Sequence, residues 1–147
     1  PVPTRRTARL RWRILRGPRW LDTPRIVETR WLIVETWCEA PVKAEALDRL
    51  AALVIQEMTP GFTVVLVSVQ AAKKVRLVVR QPSKISEIAR VAGTPLGLNR
   101  TCDGLSFPTL RYALVPNLEP GIVAHELAHC FGADEATAQR IERMADR

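Results

Sequence analysis

His125 and His129 are the only two histidines in this 147-residue chain, and they stand four positions apart. On an α-helix that spacing puts both rings on one face, a turn from each other. Two imidazole nitrogens so placed suit two corners of a tetrahedral zinc ion. Glu126 adjoins the first histidine. On the same helix its carboxylate lies beside such a metal and can take a proton from a water held there. Zinc lowers the pKa of that water from about 15.7 towards 7, which makes hydroxide available at neutral pH. Glu126 then passes the proton to a leaving amine, acting as general base and general acid in turn.

A helix over about 118–131 must carry these groups. It follows Pro116-Asn117 and ends at Gly132, a residue suited to stopping a helix and reversing the chain. Val123, Leu127, Cys130 and Phe131 make an apolar stripe, with Ile122, His125, Glu126 and His129 on the opposite flank. One face is expected to anchor the helix and the other to carry the chemistry. Asp134 or its neighbour is placed to cap a last helix, about 135–146.

The run His125-Glu126-Leu127-Ala128-His129-Cys130-Phe131-Gly132-Ala133-Asp134-Glu135 resembles the metzincin signature of the zincin superfamily. In that pattern two histidines, a glycine turn and a third ligand three residues past the glycine surround the metal. The resemblance implies a zinc-dependent metallopeptidase, with extended peptide or protein as substrate. Its specific part is the last dozen residues; a weaker likeness of layout covers about 25–135. The third position is Glu135 here, with Asp134 beside it, where metzincins usually carry histidine and sometimes aspartate. Either carboxylate can ligate zinc, and the register favours Glu135. In another zincin branch the third ligand is a glutamate on the following helix, which makes Glu142 a candidate too. Metzincins also place a methionine turn beneath the metal, whereas Met144, the only methionine after the motif, falls within the expected last helix. In zincins the strand before the active-site helix is the sheet edge on which substrate pairs; here that strand carries Arg111 and Tyr112, candidates for polarising the scissile carbonyl. A second, weaker resemblance links Cys102-Asp103-Gly104-Leu105-Ser106 to the cysteine loop of peptide deformylases, where the cysteine is the third ligand. The order of cysteine and glycine differs here.

The elements around the motif read as an α+β domain: a twisted mixed sheet with helices packed against it. Leu10, Trp12 and Ile14 alternate with arginines, the period of a half-buried strand at 9–16. A second extended run covers about 25–37, with Trp31, Ile33 and Trp37 on one face, and is expected to pair with the first. Pro41 opens a helix over about 42–58. Residues 62–69 suit a buried strand and 75–80 another. Pro82-Ser83 starts a short helix with Ile85, Ile88, Ala89 and Val91 as its apolar side. Residues 93–108 lack periodicity and form a loop long enough to suggest function; 109–115 then return as a strand.

The chain fits a single domain, 1–147, with 1–24 as a basic arm or strand. Its net charge of +7 lies wholly in residues 1–30, where nine arginines face only Asp22 and Glu28. Such an arm can hold phosphate backbone or an acidic partner. Hence a second function class: a non-catalytic zincin-like binding module that attaches to nucleic acid through its N-terminus. Glu126 favours the enzyme, because a purely structural site has no use for that carboxylate. Cys38, Cys102 and Cys130 show no framework spacing, as expected for reduced thiols and favouring a cytoplasmic setting. Cys130 projects to the apolar side of its helix and is expected to be buried. No apolar run approaches the roughly 18–20 residues of a membrane span, and no signal peptide is expected.

Overall fold

The computed structural model describes residues 18–58, 74–93 and 104–147. Within them the order is β1 (Trp20–Glu28), β2 (Leu32–Cys38), α1 (Ala44–Met58), β3 (Val75–Val79), α2 (Pro82–Val91), β4 (Leu105–Phe107), a 3₁₀ turn (Pro108–Leu110), β5 (Tyr112–Val115), α3 (Pro120–Cys130) and α4 (Glu135–Ala145). The strands form one mixed sheet in the order β1-β2-β3-β5-β4. β2, β3 and β5 run parallel, and the two outer strands are antiparallel to their neighbours. The fold is α+β. Among the described residues, no helix is long and apolar enough to cross a membrane.

Alternation along the central strands divides the sheet into two faces. Leu32, Val34, Leu77, Val79, Ala113 and Val115 point to the face covered by α1, α3 and α4. Val78 and Leu114 point to the other, where Ile85 and Ala89 of α2 pack with Leu105. Helix α1 meets the first face through Leu47, Ala51, Val54 and Ile55, a stripe at helical spacing. In α2 the stripe is narrower than expected, since Val91 is 84% exposed.

Three expected elements differ. The extended run at 25–37 is broken at 29–31 into a hairpin between β1 and β2, and β1 crosses the expected boundary at residue 24. No glycine or proline marks this turn. Side chains make it instead: the Thr29 hydroxyl accepts from Leu32 N–H, and Asp48 of α1 accepts from the Arg30 and Trp31 amides. Trp31 therefore packs on the first core, whereas Trp37 packs on the second. The strand expected at 109–115 begins only at Tyr112, because Pro108 starts a 3₁₀ turn that ends on Arg111 at φ 49°. The third difference bears on the site. β5 lies inside the sheet, and among the described residues the edge beside it is β4, three residues within the expected loop. The strands expected at 9–16 and 62–69 lie outside the described residues.

Candidate metal centre

α3 crosses the first face of the sheet and is buried on nearly every side. Gly121, Val123, Ala124, Leu127, Ala128 and Cys130 are buried, and so are His125 and Glu126. The flank expected to carry the chemistry is itself largely buried, because α4 and β4 also pack against α3. Cys130 is buried as expected, with its Sγ 3.6 Å from the Tyr112 carbonyl, and burial pushes its thiol up to about 12. It is an inert thiol.

The end of α3 positions the histidines' partners. Gly132 takes φ 97°, a left-handed conformation that favours glycine. The amide of Ala133 then returns to the Ala128 carbonyl at 3.0 Å. This reversal brings the Ala133 carbonyl to His129, whose Nδ1 donates to it at 2.9 Å. It also starts α4 where Glu135, its first residue, meets both rings.

Three side chains converge. His125 Nε2 and His129 Nε2 are 3.2 Å apart. Glu135 Oε2 lies 2.9 Å from His129 Nε2, and its Oε1 lies 3.3 Å from His125 Nε2. Ligands held tetrahedrally at zinc distances are separated by about 3.3 Å, so the spacing fits a single small cation. The donors fit as well: two imidazoles and a carboxylate leave one corner of a tetrahedron for water or substrate. Among the described residues these are the groups arranged to hold a metal. Burial alone would raise the Glu135 carboxyl, but the two adjacent histidines hold it below its ordinary range.

Glu126 sits beside this cluster, 6% exposed. Burial raises its pKa; His125, a hydrogen bond from Ser106 and His129 act in the opposite direction. Ser106 belongs to β4, whose alternation turns Leu105 and Phe107 to the second core and Ser106 towards α3. Gly104 completes the cradle. A Cβ at that position would lie 2.8 Å from Glu126 Cγ and 2.9 Å from the Leu114 carbonyl. Ser106 and Gly104 are not among the site residues expected from sequence; their signals are their place in a long glycine-bearing loop and the weak likeness of 102–106 to the deformylase cysteine loop.

The remaining candidates separate. Asp134 is the N-cap of α4, and its Oδ1 accepts from Thr137 N–H at 2.8 Å. That bond holds its carboxyl below 3.8. A depressed carboxyl stabilises the fold above its unfolded pKa, and the contribution disappears as pH falls through the folded value. Asp134→Ala is therefore expected to melt earlier than wild type at neutral pH, with the gap closing in acid. Equal melting temperatures at pH 7 would remove the cap from the account. Glu142 stands at His125 Nδ1, 3.4 Å away, on the side of the ring remote from the cluster. Tyr112 is on the opposite face of the sheet, against Phe107 and Arg76. This excludes it from the metal centre, because inner-strand parity sends its side chain away from α3. Arg111 lies over the ring of Phe131, the residue that ends α3. Met144 lies within α4, where Arg140 contacts its sulfur, and not in a turn beneath the histidines. Cys102 and the arginines of 1–17 lie outside the described residues.

Compared with protein-family models, with curated proteins and with solved structures, the chain matches none.

Proposed function

We propose that this chain is a zinc-dependent metallopeptidase, with His125, His129 and Glu135 as metal ligands and Glu126 as general base. The observation that carries it is the convergence of two Nε2 atoms and one carboxylate at tetrahedral spacing beside a buried glutamate. A divalent cation bound there supplies polarisation of water and of a substrate carbonyl. The chain's own groups do the rest. The Glu126 carboxylate accepts a proton from the attacking water and returns it to the departing amide nitrogen. Burial raises this carboxyl above its ordinary range, which makes it a readier proton acceptor than an exposed glutamate. Glu135 and the two histidines leave one position open, as a catalytic site requires.

β4 supports the choice of an extended peptide as substrate. Among the described residues it is the edge strand next to β5, and its outward main-chain groups suit a peptide that adds as a further strand. Ser106 ties that edge to Glu126, so a peptide laid along β4 passes the general base. This transfers to β4 the role that the likeness to zincins suggests for the strand before the helix.

Metal content of the purified protein tests the ligand set. Wild type and Asp134→Ala are expected to bind one zinc per chain, and His129→Ala and Glu135→Ala to lose it. Incubation of the zinc-loaded wild type with a peptide library, read by mass spectrometry, is expected to give cleaved peptides that a chelator prevents. Loss of zinc from Asp134→Ala alone would overturn Glu135 as ligand. A wild type that takes up no zinc would overturn the proposal.

A further inference from the structure

His125 is 8% exposed, and its Nδ1 is buried without a hydrogen-bond partner of proper geometry. A buried ring nitrogen left unpaired costs free energy, so its surroundings bear on what the ring does. The Glu142 carboxylate stands 3.4 Å from it, near enough for attraction but not directed as a hydrogen bond. Glu142 is seven residues from Glu135 on the same helix, two turns along, so α4 presents both carboxylates to α3. Ala138 and Ile141 between them are fully buried in the core and fix the face that α4 turns inward.

We infer that Glu142 is a positioning residue: it holds the proton of His125 on Nδ1 and so keeps the Nε2 lone pair for metal, a role that presupposes the zinc site proposed above. His129 shows the same arrangement completed, since its Nδ1 donates to the Ala133 carbonyl and its Nε2 faces the cluster. The two rings are then directed by unlike acceptors, a backbone carbonyl for one and a carboxylate for the other. An acceptor on the far nitrogen fixes the tautomer and raises the basicity of the ligating one. A carboxylate does so more strongly than a carbonyl because its bond to the ring is charge-assisted. Closing the distance from 3.4 Å to a hydrogen bond needs only a small movement of a side chain that is one-third exposed. Glu142 touches neither the substrate position nor the Nε2 atoms; it acts through His125.

Two measurements on the full chain test this. Zinc affinity is read by competition with a chromophoric chelator for wild type, Glu142→Gln and Glu142→Ala. Glu142→Ala is expected to bind one zinc with affinity reduced about 10–100-fold, and Glu142→Gln, which still offers an acceptor oxygen, to fall between. Long-range ¹H–¹⁵N correlation of the zinc-loaded proteins reads the rings directly. The Nδ1 proton of His125 is expected downfield and slow to exchange in wild type, and lost to exchange in Glu142→Ala. The His129 Nδ1 proton is the internal control and stays in place in all three. Wild-type affinity together with an unchanged His125 signal in Glu142→Ala would overturn the proposal. So would complete loss of stoichiometric zinc, which would make Glu142 a ligand. Failure of the zinc site itself is distinguishable, because wild type would then bind no metal.

Discussion

Glu126→Gln is expected to keep its zinc and to lose hydrolysis by about 10²–10⁴-fold, the range for a positioned proton-transfer group. Glutamine has the shape of glutamate and can still accept from the Ser106 hydroxyl, so the cradle under β4 survives. What it lacks is a group that takes a proton. The same change should not weaken the fold. Burial raises the folded pKa of Glu126 above its ordinary 4.5. A carboxyl shifted upward contributes stability below the unfolded pKa, and that stability is lost as pH rises through the folded value. Glutamine carries no charge and escapes the loss. Metal-free Glu126→Gln is therefore expected to melt no lower than wild type at pH 8, and the two should converge near pH 4. Peptide cleavage, zinc content and thermal melts at the two pH values check the three statements together. Retained cleavage at the wild-type rate would remove Glu126 from the chemistry.

How far the centre is legible in the sequence follows from which contacts are local. His125, Glu126 and His129 share one helix, so their geometry is fixed by helical spacing alone. Gly132 and Glu135 are nearly as local, because a left-handed glycine has few ways to reverse a chain and Glu135 follows three residues later. Register favours Glu135 over Asp134, but both are carboxylates and residue type alone does not separate them. Capping separates them: the side chain before a helix turns back to its first amides, and the next one projects outward. Glu142 required the packing of α4 on α3, which Ala138 and Ile141 set and no spacing reveals. Ser106 and Gly104 were further out of reach. Their position depends on β4 folding back on β5, an antiparallel pair closed by a three-residue 3₁₀ turn with Arg111 at φ 49°. Three residues are too few for a periodic signal. The likeness to zincins accordingly puts the sheet edge one strand too far in, at β5, and offers Tyr112, whose side chain packs on the opposite face. The hairpin at 29–31 was hidden for a related reason, because its turn is held by Thr29 and Asp48 and not by the residue types that usually mark one.

Gly104→Ala is expected to destabilise the protein by about 1–3 kcal/mol, the usual cost of forcing extra volume into a packed site, and to depress cleavage further than stability explains. Gly104 has φ 151°, where a side chain is strained. Its added Cβ would sit 2.9 Å from the Leu114 carbonyl and 2.8 Å from Glu126 Cγ. The carbonyl belongs to β5, inside the sheet, and cannot retreat. Glu126 is confined by the cluster on one side and Ser106 on the other. The strain is therefore relieved by lifting β4 or by swinging the carboxylate, and either outcome separates the general base from the edge where a peptide would lie. The ligands are on α3 and α4, so zinc affinity should change little. Gly93→Ala is the control for backbone strain alone, since Gly93 has φ 70° and nothing within 4 Å of its Cβ position. Urea melts, zinc competition and cleavage rates for the two variants separate the effects. If Gly104→Ala lost no more activity than Gly93→Ala, β4 would be a neighbour of Glu126 without influence on it, and the substrate edge would have to be sought elsewhere on the sheet.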